Sequence, residues 1–334
     1  MHLPPSLSSL SATKLFGCAA AAQVKTSNET KGQFLSGNMA FSVGVMSAMY
    51  LTKGISGAHL NPAVTLSFCV LGKVSWSRLV PYSLSQVVGA FVASGVVYLV
   101  YYDAIMTFSG GVLTVYGRNE TASIFATYPS DYLSVGRSFF DQVVGTGMLL
   151  LCILGLEEKR NTPAPSELVP VVVAAVVLGI SISMSANCGA AINPARDLGP
   201  RLFTLAAGWG TEVFTCYNYW FWVPLVAPLV GGIFGSLMYL IFIDWQLPDP
   251  DQLERISTIS EKLAKNQPVT TLEKGDELKA TVNSVVSPVS SSVSPTSLLS
   301  LGRQSHGPEQ KDASRVEMFR KRPPPGQYIN HICS

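Results

Sequence analysis

The chain has 334 residues, of which 48% are hydrophobic and 13% charged, well below the roughly 25% charge usual in soluble domains, and its mean hydropathy is +0.31. The 23 Lys and Arg against 21 Asp and Glu leave a net charge of +2, so there is no basic surplus to serve nucleic acid. A nucleic-acid binder is excluded, and a membrane protein with the lipid bilayer as its solvent is the first expectation.

Residues 1–14, with the uncharged opening "HLPPSLSSLSAT", read as a leader distinct from the apolar segments further along the chain. After Lys14 only ten uncharged residues precede Lys25, which as helix is about 15 Å, half the hydrocarbon thickness. The stretch lacks the basic region and clean apolar core of a signal peptide. It reads as the remnant of a membrane helix, as a truncated gene model or an alternative start would leave. Next come four windows without Asp, Glu, Lys or Arg, at residues 32–52, 79–102, 168–195 and 213–243, each satisfying the roughly 20 apolar residues a spanning helix needs. Residues 138–156 make a fifth span that carries one carboxylate, Asp141. From residue 245 the composition turns charged and then rich in Ser and Pro ("NSVVSPVSSSVSPTSLLS" at 283–300), which predicts a disordered tail over 245–334 with Ser287-Pro288 and Ser294-Pro295 as candidate phosphorylation sites. The six Cys and four His are dispersed without ligand spacing, so neither a metal nor a cofactor is expected. With no nucleophile–base pair or phosphate loop in view, an enzyme is not expected either.

The chain repeats itself. "GAHLNPAVTL" at 57–66 aligns without gaps to "GAAINPARDL" at 189–198, and their Asn61 and Asn193 lie 132 residues apart. Asn is a leading N-cap residue and Pro a favoured first helical residue, so Asn61-Pro62-Ala63 and Asn193-Pro194-Ala195 each begin a helix. Both helices are short, ending near Gly72 and Gly208, and non-helical backbone at membrane depth is tolerated only inside protein or beside a water-filled cavity. Two re-entrant half-helices are therefore predicted. The three spans between the two motifs invert the second relative to the first, so the half-helix N-termini meet near the midplane. Their dipoles raise a barrier to cations, while the Asn side chains offer donors to a neutral solute.

With "SGAHLNPAVTL", "YYDAIMTFSGG", "ETASIFATYP", "NPARDLGPRLFT" and "AGWG", roughly residues 15–244 resemble the aquaglyceroporin branch of the major intrinsic proteins, or aquaporins. The resemblance implies an all-α membrane fold of six tilted helices and two half-helices, assembled as a homotetramer. It implies a passive channel for glycerol and water, with urea as a further permeant, that excludes ions and protons. It also implies a selectivity filter of Phe41, Ser181, Ala190 and Arg196, and backbone carbonyl acceptors at Gly57, Ala58, His59, Leu60, Gly189, Ala190 and Ala191. Asp197 would support the loop that carries Arg196. Two departures stand out: the family usually has a bulkier residue where Ala190 stands and often Gly where Ser181 stands. The buried Glu that the family's first helix brings to the first half-helix loop is missing, and its partner in the other half is read as Asp141. Two other readings stay open, a water-selective pore and a non-conducting chain that acts as a tetramer partner or scaffold. Asn28 and Asn119 match the glycosylation sequon, and two spans between them put them on one side of the membrane. The family's orientation puts that side outside, which leaves Lys53, Lys73, Arg78, Lys159, Arg160 and the tail in the cytosol and fits a plasma-membrane protein.

Overall fold

The computed structural model describes residues 5–249 together with residues 255, 258 and 259. The Ser/Pro-rich stretch at 283–300 and both Ser-Pro pairs lie outside the described residues.

The first helix, α1 (Pro5–Thr26), runs without interruption through the boundary drawn at residue 14. Its 22 residues span about 33 Å. Counting uncharged residues misses its length because polar side chains at its centre face protein: Lys14 and Thr13 are buried, and Ser11 Oγ donates to Gly89 O at 3.0 Å. Then come α2 (Phe34–Ser56), the short α3 (Pro62–Val70), α4 (Leu79–Val100), α5 (Tyr102–Ser109), α6 (Val135–Glu157) and α7 (Val169–Cys188). A second short helix, α8 (Pro194–Thr204), is followed by α9 (Glu212–Tyr219) and α10 (Val223–Phe242). Five segments among the described residues are long and apolar enough to cross a membrane: Phe34–Ser56, Trp76–Val100, Val135–Glu157, Val169–Cys188 and Glu212–Gln246. They correspond to the five charge-poor windows, with one difference. The last window is two helices, because Tyr217, Asn218 and Tyr219 adopt left-handed φ values of 50°, 57° and 60° at the end of α9.

The packing is that of a protein solvated by lipid. On α4 the large residues Val80, Leu84, Val88, Val92 and Val96 recur every fourth position and are exposed, while the opposite face buries Ser85, Gln86, Gly89, Ala90, Ala93 and Ser94. Lipid is as apolar as Val, so the interior selects small residues that let backbones approach. At Gly235 on α10 a Cβ would lie 2.2 Å from Gly147 O on α6, and at Gly199 on α8 it would lie 2.5 Å from Val87 O on α4. The helix contacts fall into matched pairs: α1 with α2 as α6 with α7, α1 with α4 as α6 with α10, and α8 with α4 as α3 with α10. The contact of α2 with α7 is its own counterpart. This is the two-fold relation expected of a repeat in which α1–α4 correspond to α6, α7, α8 and α10.

Candidate functional site: two facing half-helices

Each half-helix is capped by its own Asn. Asn61 is extended (φ −153°, ψ 124°) and its Oδ1 accepts from Ala63 N at 2.8 Å. Asn193 takes the same conformation (φ −153°, ψ 108°) and accepts from Ala195 N and Arg196 N, both at 3.1 Å. Capping fixes each amide with its oxygen toward the helix, which turns the NH₂ toward the other loop. Asn61 Nδ2 donates to Ile192 O and Asn193 Nδ2 to Leu60 O, both at 2.8 Å. The two motifs thus clasp one another reciprocally. One proton of each NH₂ is spent on the clasp, so each Asn retains one for a solute rather than the two that the sequence suggests.

The backbone before each cap repeats as well. Left-handed φ occurs at Gly57 (76°), Ala58 (51°) and Leu60 (56°), and at Gly189 (75°), Ala190 (43°) and Ile192 (35°). Such conformations cost non-Gly residues on the order of 1–3 kcal/mol each and persist where the surroundings over-determine them. In the second half that surrounding is visible. Gln142 Oε1 accepts from Ile192 N at 2.8 Å, and its Nε2 donates to Asp141 Oδ2 at 3.0 Å. Asp141 also accepts from Asn187 Nδ2 at 2.7 Å and Cys188 Sγ at 3.1 Å. The loop contact expected of Asp141 is therefore made by the neighbouring Gln142, with Asp141 holding Gln142 and the end of α7 from behind. One residue's difference is about 100° of helix rotation, which no count along the sequence resolves.

Two cavities adjoin the clasp. One is lined by Gly57, Ala58, His59, Leu60, Asn61, Ala191, Ile192 and Asn193, among others. The other takes in Ser181, Gly189, Ala190, Arg196 and Lys14. Phe41 lines both. The structure thus brings Phe41, Ser181, Ala190 and Arg196 to one wall, while Ala191 faces the Asn61 cavity rather than the Arg196 cavity. Phe41 sits close because Gly17 has no side chain; a Cβ there would lie 2.4 Å from Phe41 Cδ2. The Arg196 guanidinium stands 5.6 Å from the centroid of the Phe41 ring, and its Nη1 is buried without a hydrogen-bond partner. Such an orphaned donor beside an aromatic wall suits a solute with both hydroxyl and C–H surfaces. His59 is occupied locally, with Nδ1 3.1 Å from Thr65 Oγ1 and its ring edge-on to Phe68 and Tyr82.

Asp197 is fully buried. It accepts from Thr127 N and Arg201 Nε, each at 2.8 Å, and from the Thr127 hydroxyl. Arg201 in turn donates to Val213 O at 2.6 Å and stacks 4.7 Å from the Tyr128 ring centroid. Arg201 and Lys14, like Gln142, are side chains that sequence reasoning passes over. The first has a signal, its i,i+4 spacing from Asp197 on a helix, whereas Lys14 has none, because it closes a stretch that lacks the apolar length of a span.

The major intrinsic protein description matches residues 9–239. The chain belongs to the major intrinsic protein family. Among this major intrinsic protein's relatives, human aquaporin-10 is 51% identical over 230 residues, covering 69% of this chain and 76% of the relative. Human aquaporin-9 is 43% identical over 75% of this chain and 85% of its own, and mouse aquaporin-7 is 42% identical over 75% and 82%. The solved aquaglyceroporin from Plasmodium falciparum superposes with a TM-score of 0.65 at 28% identity, over 72% of this chain and 96% of that one. This establishes the aquaporin fold, and with it a multi-pass membrane protein.

Proposed function

We infer that this protein is a passive channel for glycerol and water. The observation that carries the reading is the shared wall of Phe41, Ser181, Ala190 and Arg196, apolar on one side, donor-rich on the other and narrowed by no bulky residue at 181 or 190. A polyol can lay its carbons on Phe41 and its hydroxyls on Arg196, pass the free proton of each clasped Asn, and find acceptors in the carbonyls of 57–60 and 189–191. Cations and protons meet two half-helix N-termini and the Arg196 charge, which is an electrostatic barrier. Asp197, held by Thr127 and Arg201, keeps the start of α8 and its Arg196 in place. The aquaglyceroporin relatives support this solute class, with urea as a further permeant, over a water-selective pore. A homotetramer in the plasma membrane with a cytosolic tail is the assembly we propose. Asn28 and Asn119 are both exposed and line one surface hollow, which supports glycosylation on a common face.

Proteoliposomes holding the full chain test this by light scattering in a glycerol gradient. Glycerol uptake well above empty vesicles is expected, and Arg196→Ala should leak cations while keeping its fold. Water flux without glycerol flux would establish the water-selective reading, and permeability equal to empty vesicles the non-conducting one.

A further inference from the structure

Lys14 lies on α1 with 1% of its surface exposed, and its Nζ donates to Phe125 O at 3.1 Å. An ammonium has three protons and a full charge, and burying it without a counter-charge is expensive. Among the described residues no carboxylate lies within ion-pair distance of Lys14. Asp197, the buried carboxylate in this region, is committed to Thr127 and Arg201. Arg196 lines the same cavity and also lacks an ion pair, with Nη1 buried and unpartnered. Elsewhere on this wall Lys25 is paired with Glu120, and Glu29 and Arg118 at the exposed rim are one of each sign. The deep part of the cavity is therefore left with two positive charges and donors from each, and the α8 N-terminus adds to the same sign.

We propose that Lys14 and Arg196 form a binding site for a small monovalent anion, of formate or chloride size, inside the Arg196 cavity. The site rests on the cavity and its charges; only the consequence for transport rests on the channel reading, since an anion seated beside Arg196 occupies the donors a polyol would use and slows glycerol. Lys14 is what separates this from an ordinary filter arginine: one cation repels cations, whereas two around one cavity hold an anion between them.

The test uses the purified full chain in proteoliposomes, with sodium formate or sodium chloride compared with equal sodium gluconate, an anion of the same charge and much greater bulk. Wild-type protein should show a saturable rise in melting temperature and a several-fold slowing of glycerol uptake with formate but not with gluconate. Lys14→Gln keeps a donor for Phe125 O while removing the charge, and should weaken the half-saturating formate concentration about tenfold or more. Lys14→Arg should restore it. An equal response to chloride assigns the site to charge alone, and a response confined to formate assigns it to paired carboxylate oxygens. Equal responses to formate and gluconate in wild type, or a Lys14→Gln protein of unchanged melting that responds like wild type, would overturn the site. A formate-dependent melting shift with no glycerol flux in any condition would uphold the site and reject the channel reading.

Discussion

Asp197 and Arg201 carry opposite charges in a fully buried position, and each is satisfied on several sides. A buried pair of this kind is costly to break, because removing one partner strands the other charge in a low-dielectric interior. Asp197→Ala should therefore destabilise the fold by about 3–5 kcal/mol, read as a lowered melting temperature in detergent, and a near-wild-type value would show that Arg201 finds another partner. Asn61 and Asn193 pose a different question, since each caps one half-helix and clasps the other loop. Replacing both with Ala should cost less than the sum of the single changes, by about 1 kcal/mol, because the first replacement already loosens the clasp the second would remove. Additive melting shifts across the four proteins would make the caps independent and the clasp energetically silent.

Among the elements, α10 depends on how near it comes to α6. Gly235→Val would push side-chain carbon into Gly147 O, where backbone has to move, so a loss of about 3 kcal/mol and poor recovery of folded protein are expected; unchanged yield and melting would mean that the helices can separate without cost. Beyond the membrane-spanning part, Glu158 ties the end of α6 to Arg160, with Nε to Oε1 at 2.8 Å, and accepts from Tyr239 of α10. Arg160 also pairs with Asp244. Hydrogen bonds from Arg160 hold the Glu158 carboxyl down from its ordinary 4.5 to about 2. A depressed carboxyl contributes stability that is fully present above its unfolded value and is lost as pH falls through the folded one. Acid melting should accordingly weaken this corner between about pH 4.5 and 2, and Glu158→Gln should flatten that part of the profile. A profile unchanged by the substitution would remove Glu158 as the titrating group.

At the scale of the molecule, the repeat is visible in contacts, caps and backbone angles alike, yet the two halves are chemically unequal. The second half has Gln142 on its loop and the pair Arg196-Asp197 beyond its motif, whereas the first has His59 turned back onto Thr65 and Val64-Thr65 beyond its motif. A homotetramer is expected from the family, and mild cross-linking of the full chain in native membranes should give a ladder that stops at four; a ladder ending at one or two would reject it.

The inverted repeat, the two Asn-Pro-Ala helix starts and the five spanning segments were legible in the chain, because each depends on local rules of apolar length and capping chemistry, whereas the grouping of Phe41, Ser181, Ala190 and Arg196 came from the resemblance. Tertiary structure alone decided the rest. It made Lys14 part of a cavity wall although it ends an unpromising opening stretch, gave the loop contact to Gln142 rather than Asp141, and spent half of each Asn amide on the opposite loop. The physical reason is common to all three. A charge or amide in a membrane protein is placed by what surrounds it in three dimensions, because lipid offers it no partner, and those partners lie between 46 and 133 residues away along the chain for the bonds of Asp141, Gln142, Lys14 and Asn193.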